Sequence, residues 1–415
     1  MKLLIINIKK LVQTRNNTGG VISGKDMALL PQLENAWLYI EKGIIHSFGQ
    51  MSTLSSEIPG FYESDIYDAK GKYVLPAWCD SHSHIVFAQW REQEFVDKIK
   101  GLSYEQIAQN GGGILNSSAR LREMDEQQLY DQALTRVSEV IKYGTGALEI
   151  KSGYGLTLKD ELKMLRVIRK LKETTPLTIK ATFLGAHAVP PEFKGHQSDY
   201  VNHVIKDMLP RVASENLADY VDVFCDKGFF TVDETAKILE AAQKLGLKPK
   251  IHANELDFSG GVQVGVKYNA ISVDHLEMSG DAEIEALKGS STIPVVLPNA
   301  SFYLNIPFAP ARKMIDSGLP LALASDFNPG SAPSGNMQFV ISLACLKYKM
   351  FPEEAINAAT INGAYAMELG TTHGAISPGK VANLILLKEI SSLDYLPYSF
   401  GENKVEKMIL NGKLI

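Results

Sequence analysis

The sequence has few cysteines and no long apolar run. Its three cysteines, Cys79, Cys225 and Cys345, are widely spaced, and none belongs to a CxxC pair. Because an odd, sparse count does not build a disulfide framework, we expect buried, reduced thiols and a cytoplasmic protein. No segment reaches the roughly 18 apolar residues that a membrane helix needs. The first apolar run ends at Lys9 and Lys10, so we expect neither a signal peptide nor a membrane span.

The chain also lacks a block of basic residues. Its 42 lysines and arginines are outnumbered by 47 acidic residues, which gives a formal net charge of −5. Since nucleic-acid binding usually needs a basic face, we do not expect nucleic acid as a partner. With 415 residues, 45% of them hydrophobic, the chain is long enough for a large globular domain that carries a smaller one.

The two ends of the chain are rich in short β-type segments. The first end contains "KLLIINIKKLV" and "NAWLYIEKGIIHSFG", and the last contains "VANLILLK" and "NKVEKMILNGKLI" with a turn at Asn411-Gly412. Neither end has enough apolar surface to form a domain alone. We therefore predict that residues 1–73 and 374–415 pair into one small β-sandwich domain.

Residues 74–373 alternate short apolar strands with amphipathic helices, for example over 159–172, 234–245, 282–288 and 352–369. The eight candidate strands lie in "YVLPAWCDSHSH", "TGALEIKSGYG", "TIKATFLGAHAV", "YVDVFCDKG", "KPKIHANE", "AISVDHLE", "TIPVVLPNA" and "LALASDFNPG". Alternation of this kind implies parallel strands with helical crossovers. Eight such units predict an α/β protein with a TIM-like (β/α)8 barrel over residues 74–373.

The ends of these strands carry an unusual share of the ionisable residues. In a (β/α)8 barrel the active site lies at the C-terminal ends of the strands. Of the nine histidines in the chain, those at strand ends are His82, His84, His187, His252 and His275. We interpret the others as structural, namely His46, His196, His203 and His373.

Four of the polar residues at strand ends predict a metal site. The run Asp80-Ser81-His82-Ser83-His84 places two imidazoles two residues apart, on one face of an extended strand. An H-x-H pair alone is weak evidence, but His252 and Asp326 end other strands of the same barrel. Three imidazoles and a carboxylate suit zinc or a similar first-row ion, so we predict that His82, His84, His252 and Asp326 bind one.

Glu255 and His275 are the candidates for moving protons at this site. Glu255 lies three residues beyond His252 and could reach over the metal without binding it, although it could also begin a helix. His275 is either a core histidine or a hydrogen-bonding partner of the attacking water or substrate oxygen. Asp326 could orient that water as well as bind metal. We predict catalytic roles for Glu255, His275 and Asp326, and the division of acid and base roles between the first two stays open.

The pattern of H-x-H on the first strand, histidine on the fifth and sixth, and aspartate on the eighth resembles the amidohydrolase superfamily. Within it, most of the chain is similar to the imidazolonepropionase family in the segments "EIKSGYGL", "TFLGAHAVPPEF", "IHANELDFSGGVQVG" and "SDFNPGSAPSGNM". The resemblance implies hydrolysis of the cyclic amide of 4-imidazolone-5-propanoate to N-formimidoyl-L-glutamate, in histidine degradation, by a metal-activated water. It also implies a homodimer and one zinc or iron ion per chain, held by the four predicted ligands.

The resemblance further implies which residues contact the small-molecule substrate and product. The residues expected to contact the substrate are Arg91, Tyr154, His187 and Glu255. Those expected to line the same pocket and contact the product are Asn328, Gly330 and Ser331. A propanoate needs a fixed cation, and the Arg91 guanidinium offers two parallel donors just after the first strand.

The sequence departs from the family pattern at a few positions. Ser81, Ser83 and Trp90 are unusual in the first-strand motif, and Ser331 replaces a more usual threonine. Dinuclear relatives carry a bridging lysine on the fourth strand, whereas Lys151 lies on the second. We therefore predict a single metal, with Lys151 packing or hydrogen-bonding behind it.

Some features of the sequence leave alternatives open. Gly111-Gly112-Gly113 could approach a small anion through its backbone or simply form a flexible loop, and residues 101–118 are the candidate for a loop that closes over the substrate. Another cyclic amidase, a nucleobase deaminase and a non-catalytic barrel scaffold are the alternative functions. Arg91 favours an acidic substrate over a neutral base, and intact ligands on separate strands argue against a scaffold.

Overall fold

The computed structural model describes residues 2–15, 19–58, 60–102, 106 and 112–415. Within the predicted 101–118 loop, residues 103–105 and 107–111, which include Gly111, lie outside the described ranges. The strands are β1 (Lys2–Val12), β2 (Gln32–Glu41), β3 (Ile44–Gln50), β4 (Asp65–Asp68), β5 (Tyr73–Pro76), β6 (Trp78–Asp80), β7 (Thr145–Lys151), β8 (Thr178–Ala186), β9 (Tyr220–Cys225), β10 (Lys248–Ala253), β11 (Ser272–His275), β12 (Ile293–Val296), β13 (Ala322–Leu323), β14 (Leu384–Leu387), β15 (Val405–Leu410) and β16 (Lys413–Leu414).

Both ends of the chain contribute to the first sheet. Its order is β16-β15-β14-β5-β1-β2-β3, with β4 pairing parallel to β1. The C-terminal strand β14 joins the N-terminal part through an antiparallel pairing with β5, in which Ile385 lies opposite Leu75. The predicted pairing of the two chain ends is therefore confirmed.

The second sheet is the barrel, in the order β13-β12-β11-β10-β9-β8-β7-β6, and each neighbouring pair is parallel. The chain segments that follow the first and last of these strands meet. The amide of Asp326 donates to the carbonyl of His82 at 2.9 Å, and the amide of His84 donates to the carbonyl of Phe327 at 2.9 Å. These bonds bring the two edges together, so the predicted barrel is confirmed.

Helices follow the barrel strands as predicted. Polar side chains cap the N-termini of several of these helices. The Asp125 carboxylate accepts from the amide of Gln128. The Thr231 hydroxyl accepts from the amide of Glu234, and the Glu234 carboxylate accepts from the amide of Thr231. The helices of eight or more residues are Glu92–Ile99, Gly113–Glu123, Glu126–Lys142, Leu158–Thr174, Val232–Lys244 and Met337–Lys347. The shorter α-helical segments are Leu54–Glu57, Gln197–His203, Leu209–Ser214, Gly261–Lys267, Asp281–Leu287, Pro298–Leu304, Ala311–Asp316, Pro352–Asn357, Gly363–Tyr365 and Tyr395–Tyr398.

Other helical turns are short. The wider π-type turns are Val204–Met208 and Ala358–Asn362, and the second continues the helical run that the sequence predicts over 352–369. The 3-10 turns are Gly24–Ala28, Met51–Thr53, Phe61–Glu63 and Pro191–Phe193. Within the described ranges, no helix is both long and apolar enough to span a membrane.

The first barrel strand is shorter than the sequence indicates. We predicted that the H-x-H pair lies on an extended strand, but β6 ends at Asp80. The Asp80 carboxylate accepts from the amide of Ser325 at 2.9 Å, which ties the end of β6 to the segment after β13. His82 and His84 therefore lie in the connection beyond the strand, next to Asp326.

Candidate metal centre and active-site cavity

Three buried imidazoles converge at the C-terminal end of the barrel. Nε2 of His84 lies 3.2 Å from Nε2 of His82 and 3.3 Å from Nε2 of His252. Oδ1 of Asp326 lies 3.4 Å from Nε2 of His82 and 3.6 Å from Nε2 of His84. The fold thus brings together all four residues that the sequence predicts as metal ligands.

Buried carboxylates face the other ring nitrogen of two of these histidines. Nδ1 of His82 lies 2.6 Å from Oδ2 of Asp274, and Nδ1 of His252 lies 2.9 Å from Oδ2 of Asp222. A carboxylate at Nδ1 fixes the proton there, so both Nε2 lone pairs point into the cluster. Converging lone pairs repel each other unless a cation lies between them. The donor set therefore fits a metal ion.

Burial also keeps the imidazoles of His82 and His84 neutral, as metal ligands must be. It lowers the pKa of His82 and of His84 well below the usual value, and neighbouring positive charge acts in the same direction. A second group of atoms close enough to share one ion comprises His82, His275 and Asp326. His275 therefore lies at the edge of the metal centre.

A buried network of charges lies beneath the cluster. Nζ of Lys151 donates to Glu149 at 2.6 Å and to Asp222 at 2.8 Å, while Lys250 donates to Glu149 and to the carbonyl of Ser81. The prediction that Lys151 forms hydrogen bonds behind the candidate metal centre is confirmed. Asp222, Glu149 and Lys250 were missed, although a charge inside an apolar strand such as "YVDVFC" was an available signal.

Glu255 and His275 lie next to each other above the cluster, with 3.7 Å between Oε2 and Nε2. Burial raises the pKa of Glu255 to about 7, against the opposing effect of His275. Burial lowers the pKa of His275, but Glu255 and Glu277 outweigh it and raise that pKa well above its usual value. The pair can hold and pass a proton near neutral pH.

A cavity of about 620 Å³ opens over these groups. The lining includes every residue predicted to contact substrate or product, namely Arg91, Tyr154, His187, Glu255, Asn328, Gly330 and Ser331. The ring of His187 stacks on that of His84 at 5.4 Å between centroids, and its Nδ1 lies 2.9 Å from the carbonyl oxygen of Gly153. Burial lowers the pKa of His187 to about 3, so this ring is neutral.

One wall of the cavity carries the charged side chains of Arg91, Lys98 and Glu94. Nε of Arg91 donates to Oγ of Ser117 at 2.9 Å, and the guanidinium lies 5.8 Å from the centre of the Tyr154 ring. Gly330 packs so closely on Arg91 that an added Cβ would overlap its Nη1. Trp90 packs on Phe87 outside the cavity, so its indole does not line the cavity next to Arg91.

The loop after β13 is held by its own side chains. Oδ1 of Asn328 accepts from the amides of Gly330 at 2.7 Å and Ser331 at 2.8 Å. Oγ of Ser331 donates to Oδ2 of Asp326 at 3.3 Å. The serine hydroxyl, in place of the more usual threonine, thus supports the predicted ligand.

The histidines interpreted as structural lie away from this site. His46 is part of β3, and His373 bonds to Thr178. Nδ1 of His196 lies 3.6 Å from the Asp199 carboxylate, and Nδ1 of His203 lies 2.7 Å from the Asp207 carboxylate. All three cysteines are free, and two are buried: Cys79 and Cys225.

Comparison with known proteins agrees with this geometry. The amidohydrolase family model matches residues 73–415. Imidazolonepropionases of Christiangramia forsetii and Flavobacterium johnsoniae are each 56% identical over 415 residues, covering 100% of both chains. The structure of Escherichia coli guanine deaminase superposes with a TM-score of 0.75 over 100% of this chain and 99% of its own, but at 13% identity it shares the fold alone. The chain therefore belongs to the amidohydrolase family and, within it, to the family of the imidazolonepropionases.

Proposed function

We propose that the chain hydrolyses the cyclic amide of 4-imidazolone-5-propanoate to N-formimidoyl-L-glutamate, a step of histidine degradation. Full-length relatives of that name at 56% identity support this activity. The observation that carries the chemistry is the convergence of the three Nε2 atoms and Asp326 beneath the Glu255–His275 pair. Arg91 supports an acidic substrate over the neutral base of a deaminase.

One zinc or iron ion per chain fits this site, held by His82, His84, His252 and Asp326. When bound, such an ion supplies a water that ionises near neutral pH. A single ion is supported because the Lys151 ammonium is already paired with Glu149 and Asp222.

The remaining chemistry belongs to side chains around the cavity. Asp326 and His275 orient the attacking water towards the lactam carbonyl carbon, and His275 stabilises the negative oxygen that forms. Glu255 takes the proton of that water and delivers it to the ring nitrogen as the carbon–nitrogen bond opens. The swapped assignment of Glu255 and His275 would give the same products.

Substrate contacts follow from the cavity walls. The Arg91 guanidinium binds the propanoate, with Tyr154 and His187 beside it. Asn328, Gly330 and Ser331 belong to the loop that packs on Arg91 through Gly330, and they contact the product. Catalysis then depends on an ion pair at one end of the substrate and on water activation at the other.

We also propose the domain organisation, assembly and location that the sequence predicts. Residues 1–73 and 374–415 form the small β domain and residues 74–373 form the barrel, except that Val74 to Pro76, at the end of β5, pair with β14 in the small sheet. The assembly is a homodimer, which sedimentation equilibrium tests. The three free cysteines support a reducing cytoplasm.

Hydrolysis of freshly generated imidazolone-propanoate, followed by loss of its ultraviolet absorbance, tests the function directly. We expect rapid loss that a chelator abolishes and that Glu255→Gln reduces at least a hundredfold, since acid–base groups contribute about 10²–10⁴. Glu285→Gln, on an exposed carboxylate, is the matched control and should keep full activity. A protein with one metal per chain and no turnover would refute the proposed substrate.

A further inference from the structure

His275 has a carboxylate on each side of its ring. Nε2 lies 3.7 Å from Glu255, and Nδ1 lies 3.6 Å from Oε2 of Glu277. Glu255 lines the cavity, whereas Glu277 is not among the described residues that line it. Glu277 therefore lies behind the ring, where it cannot touch the substrate.

The two facing atoms behind the ring are both buried and unsatisfied. Within the described part of the chain, neither Nδ1 of His275 nor Oε2 of Glu277 has a hydrogen-bond partner. Buried polar atoms are nearly always paired, and these two face each other at 3.6 Å. The second oxygen of Glu277 accepts from Oγ of Ser301 at 3.0 Å, which holds the carboxylate in place.

The backbone between these residues is constrained to make this approach. His275 and Leu276 both have positive φ angles, 84° and 73°, which residues with a Cβ seldom adopt. Such conformations cluster at functional sites, where the surrounding structure holds them. Here they end β11 and turn the chain so that the side chain at 277 returns to the Nδ1 side of the imidazole.

We propose that Glu277 is a positioning residue: it accepts a hydrogen bond from Nδ1 of His275 and thereby directs Nε2 towards Glu255 and the cavity. Asp274 and Asp222 face Nδ1 of His82 and His252 in the same way. Without Glu277, the ring can rotate and Nε2 loses its fixed direction. This inference rests on the proposed hydrolysis, in which His275 orients water and stabilises the oxyanion.

Two substitutions separate hydrogen bonding from simple packing. Glu277→Gln keeps an oxygen that can accept from Nδ1, whereas Glu277→Met keeps the length and removes the acceptor. Loss of an outer partner of an active-site histidine typically costs about 10–100-fold. We expect Glu277→Met to lower kcat by that factor, with KM and bound metal unchanged, and Glu277→Gln to retain most of kcat.

Glu283→Gln is the matched control. Glu283 is also buried, but its oxygens accept from the amide of Gly280 and the side chain of Gln263, away from the cavity. We expect this variant to be less stable to urea with kcat intact. If Glu277→Met and Glu283→Gln lose stability equally and both keep kcat, Glu277 is only structural and the proposal fails.

A spectroscopic readout does not depend on turnover. In protein labelled with ¹⁵N-histidine and loaded with zinc, we expect an exchange-protected Nδ1–H resonance that disappears in His275→Asn. It should persist in Glu277→Gln and vanish in Glu277→Met. Persistence in Glu277→Met overturns the proposal. Absence of turnover in the unmodified protein overturns the proposed function instead, and the resonance still decides the role of Glu277.

Discussion

Oδ2 of Asp222 lies 2.9 Å from Nδ1 of His252, so a buried carboxylate sets the proton position of a candidate metal ligand. The same oxygen accepts from Nζ of Lys151 at 2.8 Å. Burial raises the pKa of Asp222, but its contacts with His252 and with the Lys151 ammonium outweigh burial and hold that pKa well below its usual value. Asp222 therefore affects metal affinity through His252 and the stability of the fold through Lys151.

Asp222→Asn should weaken metal binding by about 10–100-fold, because His252 loses the charged partner that raises the basicity of Nε2. Competition with a chromogenic chelator measures the change. Asp219→Asn is the control, since Asp219 bonds to Lys180 and a backbone amide outside the site. Equal metal affinity in the two variants would contradict the role assigned to Asp222.

Lys151→Met should lower the free energy of unfolding by about 3–5 kcal/mol, because it leaves the buried carboxylate of Asp222 without its lysine partner and Glu149 with Lys250 alone. Urea unfolding of the metal-free protein measures it. Lys227→Met removes an exposed pair with Asp257 and should cost about 1 kcal/mol or less. A similar small change in both variants would show that the buried network is not stabilised by Lys151.

The sequence alone predicts the barrel and the four converging residues, because strand ends of a parallel barrel meet at one face whatever the details of packing. It does not predict that β6 stops at Asp80, since that end depends on a bond to Ser325 in the last strand region. To predict which side chains meet between two strands, one must know the register in which the strands pair. The periodicity of apolar residues along one strand does not give that register.

The partners of the histidines were missed for the same reason. Asp222 meets His252 from a neighbouring strand, and Asp274 meets His82 across the barrel. Glu277 follows two residues with positive φ angles, His275 and Leu276, and a leucine gives no sequence signal for that conformation. Local patterns identify ligands, whereas the groups that orient them depend on tertiary structure.

Gly330→Ala should raise KM by about tenfold or more with a smaller effect on kcat. An added Cβ would overlap Nη1 of Arg91 and displace the proposed propanoate donor, and a charged hydrogen bond contributes about 1.5–3 kcal/mol. Steady-state kinetics measure the changes in KM and kcat separately. Gly20→Ala, where nothing lies within 4 Å of the added Cβ, should leave both constants unchanged. A fall in kcat alone would place Gly330 in the chemistry rather than in binding.

The pH dependence of kcat/KM should show an acidic limb near pH 7. Burial raises the pKa of Glu255 to about 7, and Glu277 and Asp326 add to that rise while His275 opposes it. A raised pKa means that the carboxyl is protonated below about pH 7, where it cannot take the proton of the attacking water. Activity should therefore fall about tenfold per pH unit as the pH drops below this value, while circular dichroism shows the fold intact. An activity that stays level from pH 8 to pH 5 in folded, metal-loaded protein would show that Glu255 is not the base.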